Sequence, residues 1–241
     1  MKKVILALSI LALILPVQNL QSQDLEDIMS QLGAGASKAT YESTYKFDTY
    51  MQMEVSDQEE QKIVYNAYLT KDGSSYAVIF EADGAKSVIV FDTKNSTMLM
   101  LVEKEGEKTG FAMGIDPSAF ADMEEEEGDD GDASYESFKT GKTKTLLGYV
   151  CDEYLIKDEG SEVRIWSSAK LGKEVEKKMF QNQQIFGGAF THAAGMDGMA
   201  LEYEFKDLES GEQGVMKVTQ IDLNSNKTIS TGDYTVMSMG Q

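Results

Sequence analysis

The chain has 241 residues, one cysteine, one histidine and a formal net charge of −19. A lone cysteine excludes an internal disulfide, and one cysteine plus one histidine is too little for a zinc site. The acid excess argues against nucleic acid and against docking on an anionic membrane face, since both need clustered lysine and arginine, and Arg164 is the sole arginine.

Met1-Lys2-Lys3 precede an apolar run from Val4 to Leu15, which breaks at Pro16; Ser22 then supplies a small residue at a cleavage position. This three-part pattern predicts a secretory signal peptide over residues 1–22. The run is shorter than the roughly 20 apolar residues that span a bilayer. No later segment is longer or more apolar, so no membrane span is expected. No cysteine stands near the cleavage position to carry a lipid. The expected product, residues 23–241, is periplasmic or secreted and forms a single β-rich domain. Loss of Lys2 and Lys3 leaves 20 basic residues against 41 acidic, a net charge of −21.

Asp24 to Leu32 carries Leu25, Ile28, Met29 and Leu32 on one helical stripe, ended by Gly33 and Gly35. From Tyr41 to Val55 the odd positions are mainly apolar and the even ones mainly polar, the pattern of a long strand with one dry and one wet face. Strands at Lys62–Thr70, Tyr76–Glu81, Ser87–Asp92 and Thr97–Glu103 follow at hairpin spacing. Their turns are at Asp72-Gly73, Asp83-Gly84 and Lys94-Asn95-Ser96. Together these predict a β-meander. Between Gly106 and Gly131 the pattern changes: Asp116 caps a short helix at Pro117–Met123. The acidic block Glu124 to Asp132 then forms a mobile loop, 123–134, because like charges this dense repel one another.

Lys142 to Trp166 reads as a strand, a tight turn and a second strand, and holds the only cysteine and tryptophan. Leu171, Val175 and Met179 form a helical stripe, and Phe186–Gly198 is Gly- and Ala-rich and irregular. Strands at Met199–Phe205, Val215–Leu223 and Asp233–Met239 complete the chain. The expected fold is mainly β: nine or ten strands and a few short helices. Hairpin connections favour one curved antiparallel sheet, a half-open barrel.

Signatures of catalysis are missing. His192 lies in G-G-A-F-T-H-A-A-G with no nucleophile elbow in the chain. Cys151 is followed by Asp152 and Glu153, which disfavour a thiolate. Gly141-Lys142-Thr143 mimics the end of a phosphate loop, yet Glu136 occupies the place of its first glycine. The acidic block supplies oxygen ligands without the spacing of a calcium loop. No catalytic residue, metal or cofactor is expected. Methionine is the distinctive feature. Met51 and Met53, Met98 and Met100, and Met237 and Met239 are each two apart, so each pair projects from one strand face. Thioethers accept varied apolar partners. Convergence of these faces would line an adaptable cavity, with Tyr45, Phe47, Met51, Met53, Met98 and Met100 as candidate ligand-binding residues; ordinary core filling is the alternative.

Gly141 to Tyr154, G-K-T-K-T-L-L-G-Y-V-C-D-E-Y, with Trp166 about a dozen residues on, resembles the signature of an exported bacterial family known as a domain of unknown function, number forty-four twelve. F-D-T-K-N-S-T-M-L-M-L and E-K-T-G-F-A-M are also similar. The resemblance implies a sheet curved into a half-open barrel, similar to Lol-type lipoprotein carriers, which hold acyl chains in an apolar cavity capped by short helices. It supplies no catalytic residues. Within the motif, Gly148, Tyr149, Cys151, Tyr154 and Trp166 are structural candidates. Tyr149 and Cys151 share one face while Tyr154 and Ile156 share the other, so a β-bulge or bend is expected between Val150 and Tyr154.

Three functions compete. One is an exported, non-enzymatic protein that binds an apolar or acyl ligand, a lipid or lipoprotein-like partner. A second is a structural or protein-interaction module of the cell envelope with a filled core. The third is a hydrolase built on scattered carboxylates, which requires two of them in a cleft with raised pKa values.

Overall fold

The computed structural model describes residues 39–58, 62–82, 84–115, 136–157, 160–179 and 198–239. The expected signal peptide, the helix at Asp24–Leu32, the helix at Pro117–Met123, the acidic loop, His192 and nearly all of Phe186–Gly198 lie outside them. The described residues hold fourteen strands and one helix.

Seven strands build the first half: β1 (Thr44–Phe47), β2 (Thr49–Asp57), β3 (Lys62–Leu69), β4 (Ser75–Ala82), β5 (Ala85–Asp92), β6 (Thr97–Lys104) and β7 (Glu107–Gly114). β8 (Glu136–Leu146), β9 (Tyr149–Lys157), β10 (Ser161–Ser168), the helix α1 (Ala169–Met179), β11 (Met199–Asp207), β12 (Gln213–Asp222), β13 (Lys227–Ser230) and β14 (Thr235–Met239) follow. Twelve strands form one curved, open sheet in the order β14-β7-β6-β5-β4-β3-β2-β12-β11-β10-β9-β8; β1 and β13 form a separate pair. The expected meander is the run from β2 to β7.

The long strand expected from Tyr41 to Val55 is divided at Asp48. The Asp48 backbone N–H donates to the Leu69 carbonyl at 2.9 Å, and its carboxylate accepts the Lys71 N–H at 3.0 Å. The alternation survives the break, with Tyr45, Phe47, Thr49, Met51 and Met53 all buried. But β1 leaves the large sheet to pair with β13, so the two halves of the dry face enter different cores.

Two strands escape the sequence pattern. β7 sits where a change of pattern is expected, because its alternate residues Gly110, Ala112 and Gly114 lack bulk. Gly110 is small for a reason: a Cβ there would lie 2.8 Å from Leu101 Cδ2 and 3.2 Å from Val236 Cγ2. β13 has only four residues. Antiparallel pairing holds throughout the large sheet except at its edge, where β14 runs parallel to β7.

Alternation along β4 places Tyr76, Val78 and Phe80 in the largest core cluster and Ala77 and Ile79 in a second one. The second cluster lies under the β1–β13 pair, where Tyr45, Phe47 and Ile229 meet Val88, Val90, Leu99 and Leu101. The largest cluster runs from Met51 and Met53 to Cys151, Trp166, Met199 and Leu201, and takes in Leu171 and Val175 of α1, two of the three stripe residues. Register shifts between Trp166 and Ser167 and between Val218 and Gln220 interrupt the ladders of β10–β11 and β12–β2. Such irregularities increase local twist, which a curved sheet requires.

Lys142 to Trp166 contains parts of three strands rather than two. The expected irregularity exists, but on the neighbouring strand. β9 pairs regularly with β10 from Asp152 to Lys157, whereas the β8–β9 register shifts between Lys139 and Thr143, opposite Glu153. Three residues, Thr140 to Lys142, therefore stand opposite the single residue Glu153. β9 shows buried side chains of both parities because both its faces are covered: Cys151 joins the largest cluster, and Tyr154 joins Ile165 and Ala200 in a third. Leu147 and Gly148 close the β8–β9 turn at φ of 50° and 81°.

Candidate functional site

Residues on neighbouring strands that pair in register present their side chains to the same face. From Met51 on β2, one such row passes through Ala67, Val78 and Ile89 to Met100. It continues through Phe111 on β7 to Met237 on β14. A second row joins Leu69, Tyr76, Phe91, Met98 and Met113. The Tyr76 and Phe91 rings stack with centroids 4.3 Å apart. The result is an apolar wall across seven strands, whose first row becomes more exposed toward β14 while Met98 and Met113 of the second stay buried. Met51, Met53, Val78 and Met98 are buried, Ile89, Phe91, Met100 and Phe111 are half-buried, and Met237 is 52% exposed.

Four of the six predicted ligand-binding residues, Met51, Met53, Met98 and Met100, therefore share this wall, joined by Met237. The other two do not reach it. Phe47 packs in the second cluster, and Tyr45 stacks on it at 6.3 Å. The Tyr45 hydroxyl donates to Asp92 Oδ2 at 2.9 Å and accepts the Glu42 N–H at 3.0 Å. Burial, reinforced by the Asp92 carboxylate, pushes this phenol well above its ordinary range. Burial likewise pushes Tyr65 up to about 12.

Tyr45 lines a polar cleft of about 650 Å³ at the ends of β1, β3 and β5. Acid from Glu42, Asp48, Asp72 and Asp92 is interleaved there with Lys71 and Lys94. Its buried floor is internally satisfied: Asp92 also accepts the Asn95 N–H at 3.0 Å and the Asn95 side-chain amide at 2.7 Å. The Asp72 carboxyl is pushed up by burial, but hydrogen bonds from Ser74 and Thr70 outweigh this and hold it below the usual range.

The G-K-T-K motif forms a third constellation. Glu153 and Glu202 are nearly inaccessible. Glu153 accepts from Thr140 Oγ1 at 2.5 Å and meets Lys142 Nζ and Arg164 Nε at 3.2 Å each. Glu202 meets Lys144 Nζ at 3.0 Å. Lys144 also lies 4.1 Å from the centroid of the Trp166 ring, a cation–π contact. Arg164 reaches Glu204 at 3.0 Å and Glu162 at 3.4 Å. Burial pushes the Glu153 carboxyl up, but Thr140, Lys142 and Arg164 together hold it below its ordinary range. Lys157, then Arg164 and Lys206, do the same to Glu162 against burial. A carboxylate general acid needs the opposite shift. No group of three or more His, Cys, Asp or Glu side chains suited to a metal occurs among the described residues. Cys151 is buried, and burial pushes its thiol up, the state of a packing residue rather than a nucleophile.

Sequence reasoning missed Ile89, Phe91, Phe111 and Met113 of the wall. Parity alone could have placed Phe111 and Met113 together, had β7 been recognised. It also missed the ion-pair lattice, whose signal is Lys142 and Lys144 spaced by two on β8, the strand that pairs with β9.

The family described as a domain of unknown function (DUF4412) matches residues 47–229, and the chain belongs to that family. No curated protein matches. Among solved structures, the chain is similar to an uncharacterized conserved protein from Thermus thermophilus, at 11% identity over 92% of this chain and 100% of that one, with a TM-score of 0.40. It is also similar to a LolA superfamily protein from Nitrosomonas europaea, at 11% identity over 83% of this chain and 93% of that one, with a TM-score of 0.27. For PNGF-II the identity is 13% and the TM-score 0.36; the match covers 79% of this chain but only 31% of that one.

Proposed function

We propose that this member of the DUF4412 family is an exported, non-enzymatic protein that binds the apolar or acyl part of a lipid-like ligand on its methionine-rich wall. The reading rests on one observation, the in-register row from Met51 to Met237 whose outer half, Ile89, Met100, Phe111 and Met237, stays accessible to solvent. Unbranched thioether side chains re-pack around chains of different length at little cost, and each methylene buried on them contributes about 0.8 kcal/mol. The inner half, from Met51 to Val78, is already packed and serves as the support. Among the described residues no helix is long and apolar enough to cross a membrane.

The test is to purify the mature chain from a native-like envelope, extract it with organic solvent and look for lipid by mass spectrometry. A fluorescent fatty-acid analogue is then titrated against the delipidated protein. Saturable binding that Met100→Glu and Phe111→Glu abolish is expected. Protein that is reproducibly lipid-free and indifferent to the analogue would leave the envelope-module reading in its place.

A further inference from the structure

An open sheet has two edge strands, and here they are built differently. β8 carries Lys139, Lys142 and Lys144, each tied to an acid of a neighbouring strand, and its pairing with β9 is interrupted between Lys139 and Thr143. Charge and irregular pairing are devices that keep a further strand from adding to an edge. β14, at the other edge, has neither. Its sequence, T-V-M-S-M, holds no charged residue and no proline, and its register with β7 is unbroken over all five residues. Among the described residues no strand pairs with its outer side. Thr235, Met237 and Ser238 are exposed. Met237 is also the one exposed large hydrophobic residue on an edge strand.

The strand is firmly seated. Tyr234 and Val236 pack against the second core cluster, and Val236 reaches into the space left by the missing side chain of Gly110. An ordered, unguarded edge is a template for another strand, and the chain itself supplies the one that fits. Two strongly acidic molecules repel each other over most of their surfaces, but β14 brings no charge to the contact; Asp233 lies two residues before it. Directly opposed residues of an antiparallel pair project from the same face, and a two-fold axis normal to the sheet keeps each face with its own kind. The register centred on Met237 pairs all five residues and sets Met237 opposite its own copy on the wall side. Such pairing uses up both open edges. Only the two β8 edges remain, and these are guarded, so assembly closes at a dimer instead of growing.

We propose that β14 is a self-association edge, which pairs antiparallel with β14 of a second copy of this chain about a two-fold axis at Met237. An edge of five residues buries less than the roughly 1,200 Å² of a stable complex, so the dimer is weak and depends on concentration. The inference goes beyond the acyl-binding reading and stands without it. Where both hold, the rows of the two walls run into each other through Met237.

The experiment is sedimentation velocity of the mature chain from micromolar to millimolar concentration, together with disulfide trapping. A monomer–dimer equilibrium is expected, strengthened by salt as repulsion between the two acidic chains is screened. Met237→Cys puts thiols on directly opposed residues, whose Cα atoms lie about 4.5–5.5 Å apart in an antiparallel pair, within the roughly 4.4–6.8 Å that a disulfide spans. Under mild oxidation this variant is expected to cross-link on the order of tenfold faster than Val150→Cys or Leu208→Cys, exposed positions away from β14. Cys151 is buried and takes no part. Ser238→Lys gives β14 a guarding charge at an exposed position in register with Ala112, away from the wall. It is expected to keep the thermal stability of wild type and to weaken dimerisation at least about tenfold. A monomer at every concentration overturns the proposal and leaves the edge to a strand of another protein. Cross-linking of Met237→Cys no faster than the controls, undiminished dimerisation of Ser238→Lys, or growth beyond the dimer overturns it as well. Titration of the fatty-acid analogue keeps the two ideas apart: a dimer that ignores the analogue removes the acyl reading alone, and a monomer that binds it removes this proposal alone.

Discussion

Glu153→Ala tests whether the ion-pair lattice under the G-K-T-K motif stabilises the fold. Glu153 has a side chain 3% exposed and three partners: Thr140 at 2.5 Å, Lys142 at 3.2 Å and Arg164 at 3.2 Å. Removing one member of a fully buried pair costs about 3–5 kcal/mol. The cost is smaller here because two of the partners have other places to go. The Lys142 side chain is 69% exposed and returns to water, so its pair contributes under about 1 kcal/mol. Arg164 is 35% exposed and retains Glu162 and Glu204. What remains is the unsatisfied Thr140 hydroxyl and a small void, giving about 2–3 kcal/mol in all. For a domain of this size that lowers Tm by roughly 4–12 °C. Differential scanning calorimetry with urea titration measures it.

Stability at this position also depends on pH. The folded carboxyl titrates below its ordinary 4.5, so the unfolded chain takes up this proton first as pH falls. The contribution is complete at neutral pH, starts to decline as pH drops through the ordinary carboxylate range, and is gone below the folded-state value. Glu153→Gln, which keeps the shape but not the charge, should approach wild-type stability in acid while lying below it at neutral pH. A difference between Gln and wild type that is independent of pH, or an Ala variant within about 0.5 kcal/mol of wild type, would refute the reasoning, because it would mean that water already solvates this carboxylate.

The remaining predictions concern packing and reactivity. Gly110→Ala forces a Cβ against Leu101 and Val236, and is expected to cost about 1–3 kcal/mol; amide hydrogen exchange should rise first at residues 235–239, where β14 pairs with β7, and unchanged exchange there counts against the close approach. Met53→Ala, at a side chain 2% exposed, is expected to cost about 2–5 kcal/mol, and Met53→Leu under about 1.5 by chemical denaturation; equal costs would mean that the site collapses without a void. Cys151, fully buried, should resist iodoacetamide in the folded state and label fully in denaturant; alkylation of the folded protein at the rate of a free thiol contradicts its burial.

Much of the architecture was legible because alternation with period two is a local signal. The strands from Lys62 to Glu103, their turns, and the dry face of Tyr45, Phe47, Met51 and Met53 follow from it directly. β7 was hidden because its glycines and alanine carry no hydrophobic signal; the smallness of Gly110 answers to Leu101 and Val236, residues on other strands. Parallel pairing of β14 was hidden because it depends on which edge remains open once the meander has formed. The motif pointed to irregular pairing near Glu153 but not to the strand that holds the extra residues, since a register shift belongs to a pair of strands.

For the candidate site the division is similar. Spacing by two put Met98 with Met100 and Met51 with Met53, each pair on one face of one strand. That Met100 lies in a row with Ile89 and Phe111, and Met98 with Phe91 and Met113, required cross-strand register. That Tyr45 and Phe47 enter a different core required the break at Asp48, set by hydrogen bonds to β3 and the turn after it. The amino-acid order alone determined most of the strands, their dry faces, net charge and family, because these follow from local periodicity, composition and motif. Only the tertiary structure decided which dry faces share a wall and which hydrophobic residues stay in water, because register and burial are made by strands far apart in the chain.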